Sequence, residues 1–256
     1  MLNKLSMNNS CTVPSQFDAS GAFETCRVRR GRVLRLEEHL RRLRASLKTV
    51  GIFSWDEALA RRELARAARG LKEGHVRIAV RRTGEPRILI HAHPGIPYSS
   101  RQRRQGVPLR TVPTRWPAGE TAWAQAKTSE RLSGVLARME APGVPEVLRL
   151  GPGGDVTEGT VSNLFFVREG ALVTAPPWLG VLEGVTRARV IRAAKGLKIP
   201  VREVPFSRHD LFNAEEAFLT NVLMGILPVR ELDGRRIGGR VPGPVTRKLT
   251  KRMGEE

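Results

Sequence analysis

The spacing of apolar and polar positions changes several times along the first hundred residues. Residues 23–28 and 32–34 read as two short strands around the turn Arg29-Arg30-Gly31. Leu36, Leu40, Leu43 and Leu47 then recur at helical spacing, with Gly51 as a stop. Ser54-x-x-Glu57 reads as a capping box ahead of a second helix that turns Leu59, Leu64, Ala68 and Leu71 inward. Strands at 75–80 and 87–92 follow, parted by a turn at Thr83-Gly84. Residues 97–106 are polar, basic and without period, and read as a linker. Beyond them the pattern predicts a strand at 107–112, a Pro- and Gly-containing loop, and a helix over 128–140. A strand pair flanks the turn Gly151-Pro152-Gly153-Gly154. A hairpin joins 163–167 to 171–173, a helix spans 186–195, and strands follow at 199–204 and 216–221. The reading is an α+β chain with a small N-terminal unit over residues 1–97, a linker over 98–105 and a larger unit over 106–256.

Composition narrows the partners. A chain of 256 residues can bury one large core or two modest ones. The longest apolar stretch, residues 217–229, contains Thr220, Asn221 and Gly225, and is too short and too polar to span a bilayer. Residues 1–11 are polar, which speaks against a signal peptide. The two cysteines, Cys11 and Cys26, suggest a reducing compartment and a cytoplasmic protein. The formal net charge is +19. Such a charge suits nucleic acid or small anions. Here the arginines run along the whole chain, no basic tail exists, and one Tyr and four Trp offer little to interleave with them. We therefore expect a small anionic substrate, with neither nucleic acid nor a membrane as partner. Lysine is rare, eight residues in all, so a lysine among small or apolar neighbours is informative.

Four features carry candidate chemistry. Lys127 lies in Ala124-Gln125-Ala126-Lys127-Thr128-Ser129, where desolvation would lower an amine's pKa for Schiff-base chemistry. Taken alone, it reads as a surface lysine at a helix start. Glu158, in Glu158-Gly159-Thr160-Val161-Ser162-Asn163-Leu164-Phe165, can project from a Gly-containing loop into a cavity, or end a hairpin as an exposed acid. Leu182-Glu183-Gly184-Val185-Thr186-Arg187 precedes a helix, whose free N–H groups suit a phosphate; Thr186 alone reads as a plain N-cap. Arg42, in Glu38-His39-Leu40-Arg41-Arg42-Leu43, sits at the edge of the leucine stripe and can reach inward as a phosphate fork, or lie in solvent. His39, at the same edge, reads as a core histidine. No cluster reads as a metal site.

The order and spacing of these features resemble the fold-type IV pyridoxal-phosphate (PLP) enzymes, the class IV aminotransferase superfamily. The pattern runs from Glu158 through Asn163-Leu164-Phe165 and Leu172-Val173-Thr174 to Leu182-x-Gly184-Val185-x-Arg187. Gly21-Ala22-Phe23-Glu24-Thr25 and Glu38-His39…Arg42-Leu43 match the family's N-terminal part, so the likeness covers roughly residues 18–245. It implies two domains, a small N-terminal α/β domain and a larger one with a barrel-like mixed sheet, with the active site between them, and a homodimer. It implies that Lys127 carries PLP as a Schiff base and shuttles the proton at the substrate carbon. Glu158 would pair with the pyridine nitrogen. Arg42, the Val185 N–H and Thr186 would hold the phosphate, and Val222, where many members have Thr, would add only a backbone N–H. Asn221 and Leu223, in the turn after the late strand, and Arg77 would meet the substrate. The lead Ser15-Gln16-Phe17-Asp18-Ala19-Ser20 lacks the family's Tyr.

Two reactions follow from the likeness. Phe218-Leu219-Thr220-Asn221 and Lys127-x-x-x-Arg131-Leu132 are closest to 4-amino-4-deoxychorismate lyase, which eliminates pyruvate to leave 4-aminobenzoate. The alternative is transfer of an amino group between a branched-chain or D-amino acid and a 2-oxo acid. A non-catalytic or basic binding relative of the fold is the reading from another class.

Overall fold

The computed structural model describes residues 21–83, 85–116, 124–128 and 132–254. Ser15–Ser20, Cys11, Ser129 and Arg131, on which parts of the sequence reading rest, lie outside the described residues.

The first sheet is built from β1 (Gly21–Arg29), β2 (Arg32–Val33), β3 (Glu73–Thr83) and β4 (Glu85–Pro94), in the order β2-β1-β3-β4 and antiparallel throughout. Helices α1 (Leu36–Thr49) and α2 (Glu57–Ala68) cover one face. Strict alternation makes this possible: Ala22, Cys26 and Val28 on β1 and Val76, Ile78 and Val80 on β3 all turn to that face. They meet Leu40, Leu43 and Leu47 of α1 and Leu64 of α2, all fully buried. Glu24 falls on the same buried face, under α1.

Helix α3 (Ser100–Gln105) separates this unit from a nine-stranded mixed sheet. In chain order its elements are β5 (Val107–Arg115), α4 (Leu132–Glu140), β6 (Glu146–Leu150), β7 (Val156–Gly159), β8 (Asn163–Arg168), β9 (Ala171–Thr174), α5 (Val185–Gly196), β10 (Val201–Glu203), α6 (Arg208–Phe212), β11 (Glu216–Asn221), β12 (Gly225–Leu232), β13 (Arg235–Arg236) and α7 (Pro244–Gly254). The strand order is β10-β9-β8-β11-β12-β5-β6-β7, with β13 on β12. The contacts β10/β9, β12/β5 and β5/β6 are parallel and the others antiparallel. Strand β8 is covered on both sides, which is why it reads as an unbroken apolar run. Leu164 and Phe166 join the interior cluster with Leu148 and Leu219, whereas Phe165 and Val167 meet Val190 of α5 and Leu249 of α7. The mixed α/β architecture expected from the resemblance is present.

Several elements differ from expectation. The N-cap of α2 is Asp56, whose side chain accepts from Leu59 N–H at 2.7 Å; Ser54 is exposed and makes no capping box. The register shifts accordingly, with Ala60 fully buried and Leu59 and Leu71 only half-buried. The stretch read as a linker contains α3, which has a complete capping box between Ser99 and Gln102. Six residues are too few for a period to show. Thr128 pairs with Ala22 as an isolated β-bridge, so the following helix does not begin there. Gly184, not Thr186, stands at the N-cap of α5. Besides α3, four elements were not predicted: α6, β12, β13 and α7. The spacing Val245, Leu249, Met253 after Pro244 was a legible signal for α7. Its cap comes from a distance: Glu216 on β11 accepts from Val245 and Thr246 N–H at 2.8 Å each. Among the described residues, no helix is long and apolar enough to cross a membrane.

Candidate active site

A cavity of about 210 Å³ lies between the two sheets. Phe23 and Thr25 of β1, His39 and Arg42 of α1, Lys127, Glu158 of β7, the 160–163 loop, the start of α5 and the end of β11 line it. Six residues singled out from the sequence for the cofactor thus meet in one place: Lys127, Glu158, Arg42, Val185, Thr186 and Val222. Asn221 joins them; Arg77 and Leu223 are not among the lining residues.

Lys127 sits on a short extended segment stitched to the first sheet. Its N–H donates to Ser46 Oγ at 3.0 Å, and its carbonyl accepts from Phe23 N–H at 3.0 Å. The bridge of Thr128 to Ala22 continues that pairing. The side chain is half-buried, and Nζ lies 4.8 Å from the Phe23 ring centroid. The surface-lysine reading is thereby replaced by a lysine facing a cavity.

Glu158 is 6% exposed and takes three hydrogen bonds. Arg149 Nη2 donates to Oε1 at 3.0 Å, and Asn163 Nδ2 and Leu182 N–H donate to Oε2 at 2.9 and 3.1 Å. Burial pushes its carboxyl up to about 7, against the opposing pull of Arg149, the Leu182 N–H and Lys127. A raised folded-state value means that folding favours the protonated form. The contribution to stability is present at low pH and is lost as pH rises from about 4.5 through about 7. Unfolding of cofactor-free protein by urea should therefore show stability falling by roughly 2–3 kcal/mol across that window, a slope that Glu158→Gln removes. Equal slopes in the two proteins would refute the assignment.

Arg42 reaches inward as the helix edge suggested, but its fork is taken by a carboxylate. Nε and Nη2 donate to the two oxygens of Glu24 at 2.6 and 2.9 Å, and Nη1 donates to the Glu183 carbonyl at 3.2 Å. His39 Nδ1 meets Glu24 Oε2 at 2.8 Å. Arg42 and His39 together hold the fully buried Glu24 down to about 2 against the opposing effect of burial. His39 is thus satisfied on one side, while its buried Nε2 has no partner among the described residues. Glu24 belonged to a matching strand in the sequence, but its service to Arg42 was not foreseen.

The start of α5 is shaped by Gly184, whose φ of −64° is ordinary. Glycine is required there for room: a Cβ would run into Asn163 Oδ1 and meet Arg187 Cβ at 3.3 Å. Asn163 itself bridges Glu158 and the Leu182 carbonyl, the latter at 2.8 Å. The carboxylate and the helix N-terminus are therefore fixed by one side chain. Thr186 is buried in the first turn.

The turn after β11 behaves differently from expectation. Asn221 Oδ1 accepts from Leu223 N–H at 2.9 Å and Met224 N–H at 2.8 Å, so the Leu223 donor is already used. Asn221 Nδ2 donates to the Val161 carbonyl at 3.2 Å, and Arg103 of α3 donates to the Met224 carbonyl at 2.5 Å. Arg77 lies on β3 with its guanidinium carbon 4.2 Å from the Phe23 ring centroid, outside the cavity wall. The buried Thr220 Oγ1 lines the cavity without a partner among the described residues.

Sequence reasoning also missed Glu146, Trp116 and Arg149. The Glu146 carboxylate gathers the 160–162 loop, accepting from Thr160 N–H at 2.9 Å, Val161 N–H at 3.2 Å and Ser162 Oγ at 2.8 Å. Arg149 is buried in Glu-Val-Leu-Arg-Leu, and a guanidinium inside an apolar strand was the signal that could have found it. Among the described residues, no group of His, Cys, Asp and Glu could hold a metal ion.

Comparison with known proteins agrees with the fold. The family model for amino-transferase class IV matches residues 21–232. A Methanocaldococcus jannaschii protein provisionally named branched-chain-amino-acid aminotransferase is 34% identical over 252 residues, 91% of this chain and 85% of its own. The crystal structure of 4-amino-4-deoxychorismate lyase from Pseudomonas aeruginosa superposes with a TM-score of 0.84 at 33% identity, covering 93% of this chain and 91% of that one. A hypothetical aminotransferase from Mycobacterium tuberculosis, solved in a PLP-bound form, gives a TM-score of 0.83 at 26% identity over 93% and 88%.

Proposed function

Because this chain belongs to the class IV aminotransferase family, we propose that it binds PLP in the cavity and moves an amino group between an amino acid and a 2-oxo acid. Branched-chain amino acids are the first class to try. The observation that carries the reading is the meeting of the Lys127 amine, the Glu158 carboxylate, Arg42 and the α5 N-terminus in one cavity. The donor set fits a flat, phosphorylated group. Arg42, whose Nη1 donates to the Glu183 carbonyl at 3.2 Å, and the first turn of α5 supply cationic and N–H donors. Thr220 Oγ1 and His39 Nε2 add buried polar atoms that lack a partner among the described residues.

When bound, PLP supplies an electron sink for the substrate carbon. Lys127 would carry the cofactor and would take and return the proton at that carbon. Glu158 would face the ring nitrogen. Arg42, the Val185 N–H, Thr186 and the Val222 N–H would hold the phosphate. Asn221 shapes the substrate wall. Arg77 lies behind the cavity lining, against the Phe23 ring. Leu223 is left out, since its N–H is occupied by Asn221. The two sheets act as two domains, with α3 between them. The exposed apolar row Leu132, Val135, Leu136 and Met139 on α4 supports a homodimer.

The lyase is the second reading. It is favoured by the whole-chain likeness to the Pseudomonas enzyme and by Asn221 filling the turn that follows β11. The two separate in one experiment on purified yellow protein. Branched-chain and D-amino acids are supplied with 2-oxoglutarate, and aminodeoxychorismate is supplied alone. Glutamate formed from an amino acid is the expected result. Pyruvate and aminobenzoate released without any 2-oxo acid, and no glutamate, would replace transamination with elimination.

A further inference from the structure

Arg149 has no role in the reading above, yet it is built into the cavity wall. It is 4% exposed, and its guanidinium carbon stacks 3.5 Å from the Trp116 ring centroid. One nitrogen, Nη2, donates both to Glu158 Oε1 at 3.0 Å and to the Gly159 carbonyl at 3.1 Å. Its Nε is buried with no partner among the described residues. A buried donor left unpaired is unfavourable. A buried ion pair is in any case weak support for a fold. The arrangement is therefore a poor device for stability and a good one for fixing a charge beside Glu158.

We infer that Arg149, held over the Trp116 ring, is a positioning residue that opposes the protonation of Glu158 and fixes its orientation in the cavity wall. The other charged groups felt by Glu158 do not replace it. Lys127 is half-buried on a segment tied to the other sheet. Arg42 is paired with Glu24. Glu146 bears the same charge and acts in the opposite sense. Asn163 and the Leu182 N–H donate hydrogen bonds but carry no charge. Burial alone would drive the group to its neutral form, and Arg149 is the largest influence opposing it. The inference deepens the proposed function, since an ionised Glu158 is what the ring nitrogen of PLP would meet.

The test follows the Glu158 carboxyl carbon by NMR in protein labelled at glutamate, without cofactor, with the signal assigned by its loss in Glu158→Gln. The wild-type midpoint should be near neutral. Arg149→Gln and Arg149→Met should each raise it by about one pH unit or more, and Arg149→Lys should hold it near the wild-type value. Two neutral variants are used so that failure of one to fold leaves the other. PLP affinity measured by absorbance should fall in the neutral variants and recover in the lysine variant. An unmoved midpoint in a folded neutral variant, or an equal rise in Arg149→Lys, overturns the inference. Because the titration is read without cofactor, a protein that took up no PLP would defeat the proposed function and leave this result standing.

Discussion

Replacement of Lys127 by Ala is expected to give a folded protein from which borohydride no longer fixes PLP covalently, with transamination reduced by about 10⁴-fold or more, in the range seen when a covalent catalytic group is lost. The fold should survive because the segment is held by its main chain: the Ser46 and Phe23 hydrogen bonds involve only the Lys127 N–H and carbonyl. Peptide mapping after reduction of the wild-type protein should find the pyridoxyl group on Lys127. Label on another lysine, or activity within tenfold of wild type in Lys127→Ala, would remove Lys127 from the centre of the reaction.

The largest loss of stability is expected from Glu24→Gln. Glu24 is fully buried and accepts from both Arg42 and His39. Taking its charge away strands the Arg42 guanidinium, and breaking a buried pair from one side typically costs about 3–5 kcal/mol. The pH dependence has a defined sign. A carboxyl held down to about 2 stabilises the fold above its ordinary value near 4.5, and this contribution is lost as pH falls from there towards 2. Urea unfolding at pH 7 and pH 3 checks both statements. The gap between wild type and variant should be wide at pH 7 and should narrow on acidification. A gap below about 1 kcal/mol at neutral pH contradicts them.

What the sequence showed and what it hid have separate physical causes. Periodic elements with one covered face were legible: α1, from the leucine stripe, and β1 and β3, from alternation. Strand β8 was placed by its bounding turn, although both faces are buried and no alternation marks it. The α2 cap was misplaced because Ser54 and Asp56 are both good N-caps and lie two residues apart; only Asp56 meets the helix axis. Helix α7 was overlooked because its cap, Glu216, is 28 residues upstream of Pro244, and no local box announces it. The candidate site was legible where a residue stood in a long ordered pattern, as with Glu158 and Thr186. Partners such as Glu24, Glu146 and Arg149 act through contacts between strands. Nothing in their immediate neighbours marks them, apart from a charge placed inside an apolar run.

The stitching of Lys127 to Phe23 and Ser46 has a mechanical meaning. Although residues 124–128 follow β5 in the chain, the Lys127 main chain and Thr128 pair with the first sheet and its helix, while Gln125 Nε2 donates to the Pro177 carbonyl at 2.9 Å. The main chain at Lys127 is therefore anchored on one sheet, and Glu158, on β7, belongs to the other. A hinge rotation between the halves would change the separation of amine and carboxylate while leaving each in its own cradle. The span from Lys127 to Glu158 would report such a rotation, and a pair of probes placed on β1 and β7 would read it directly.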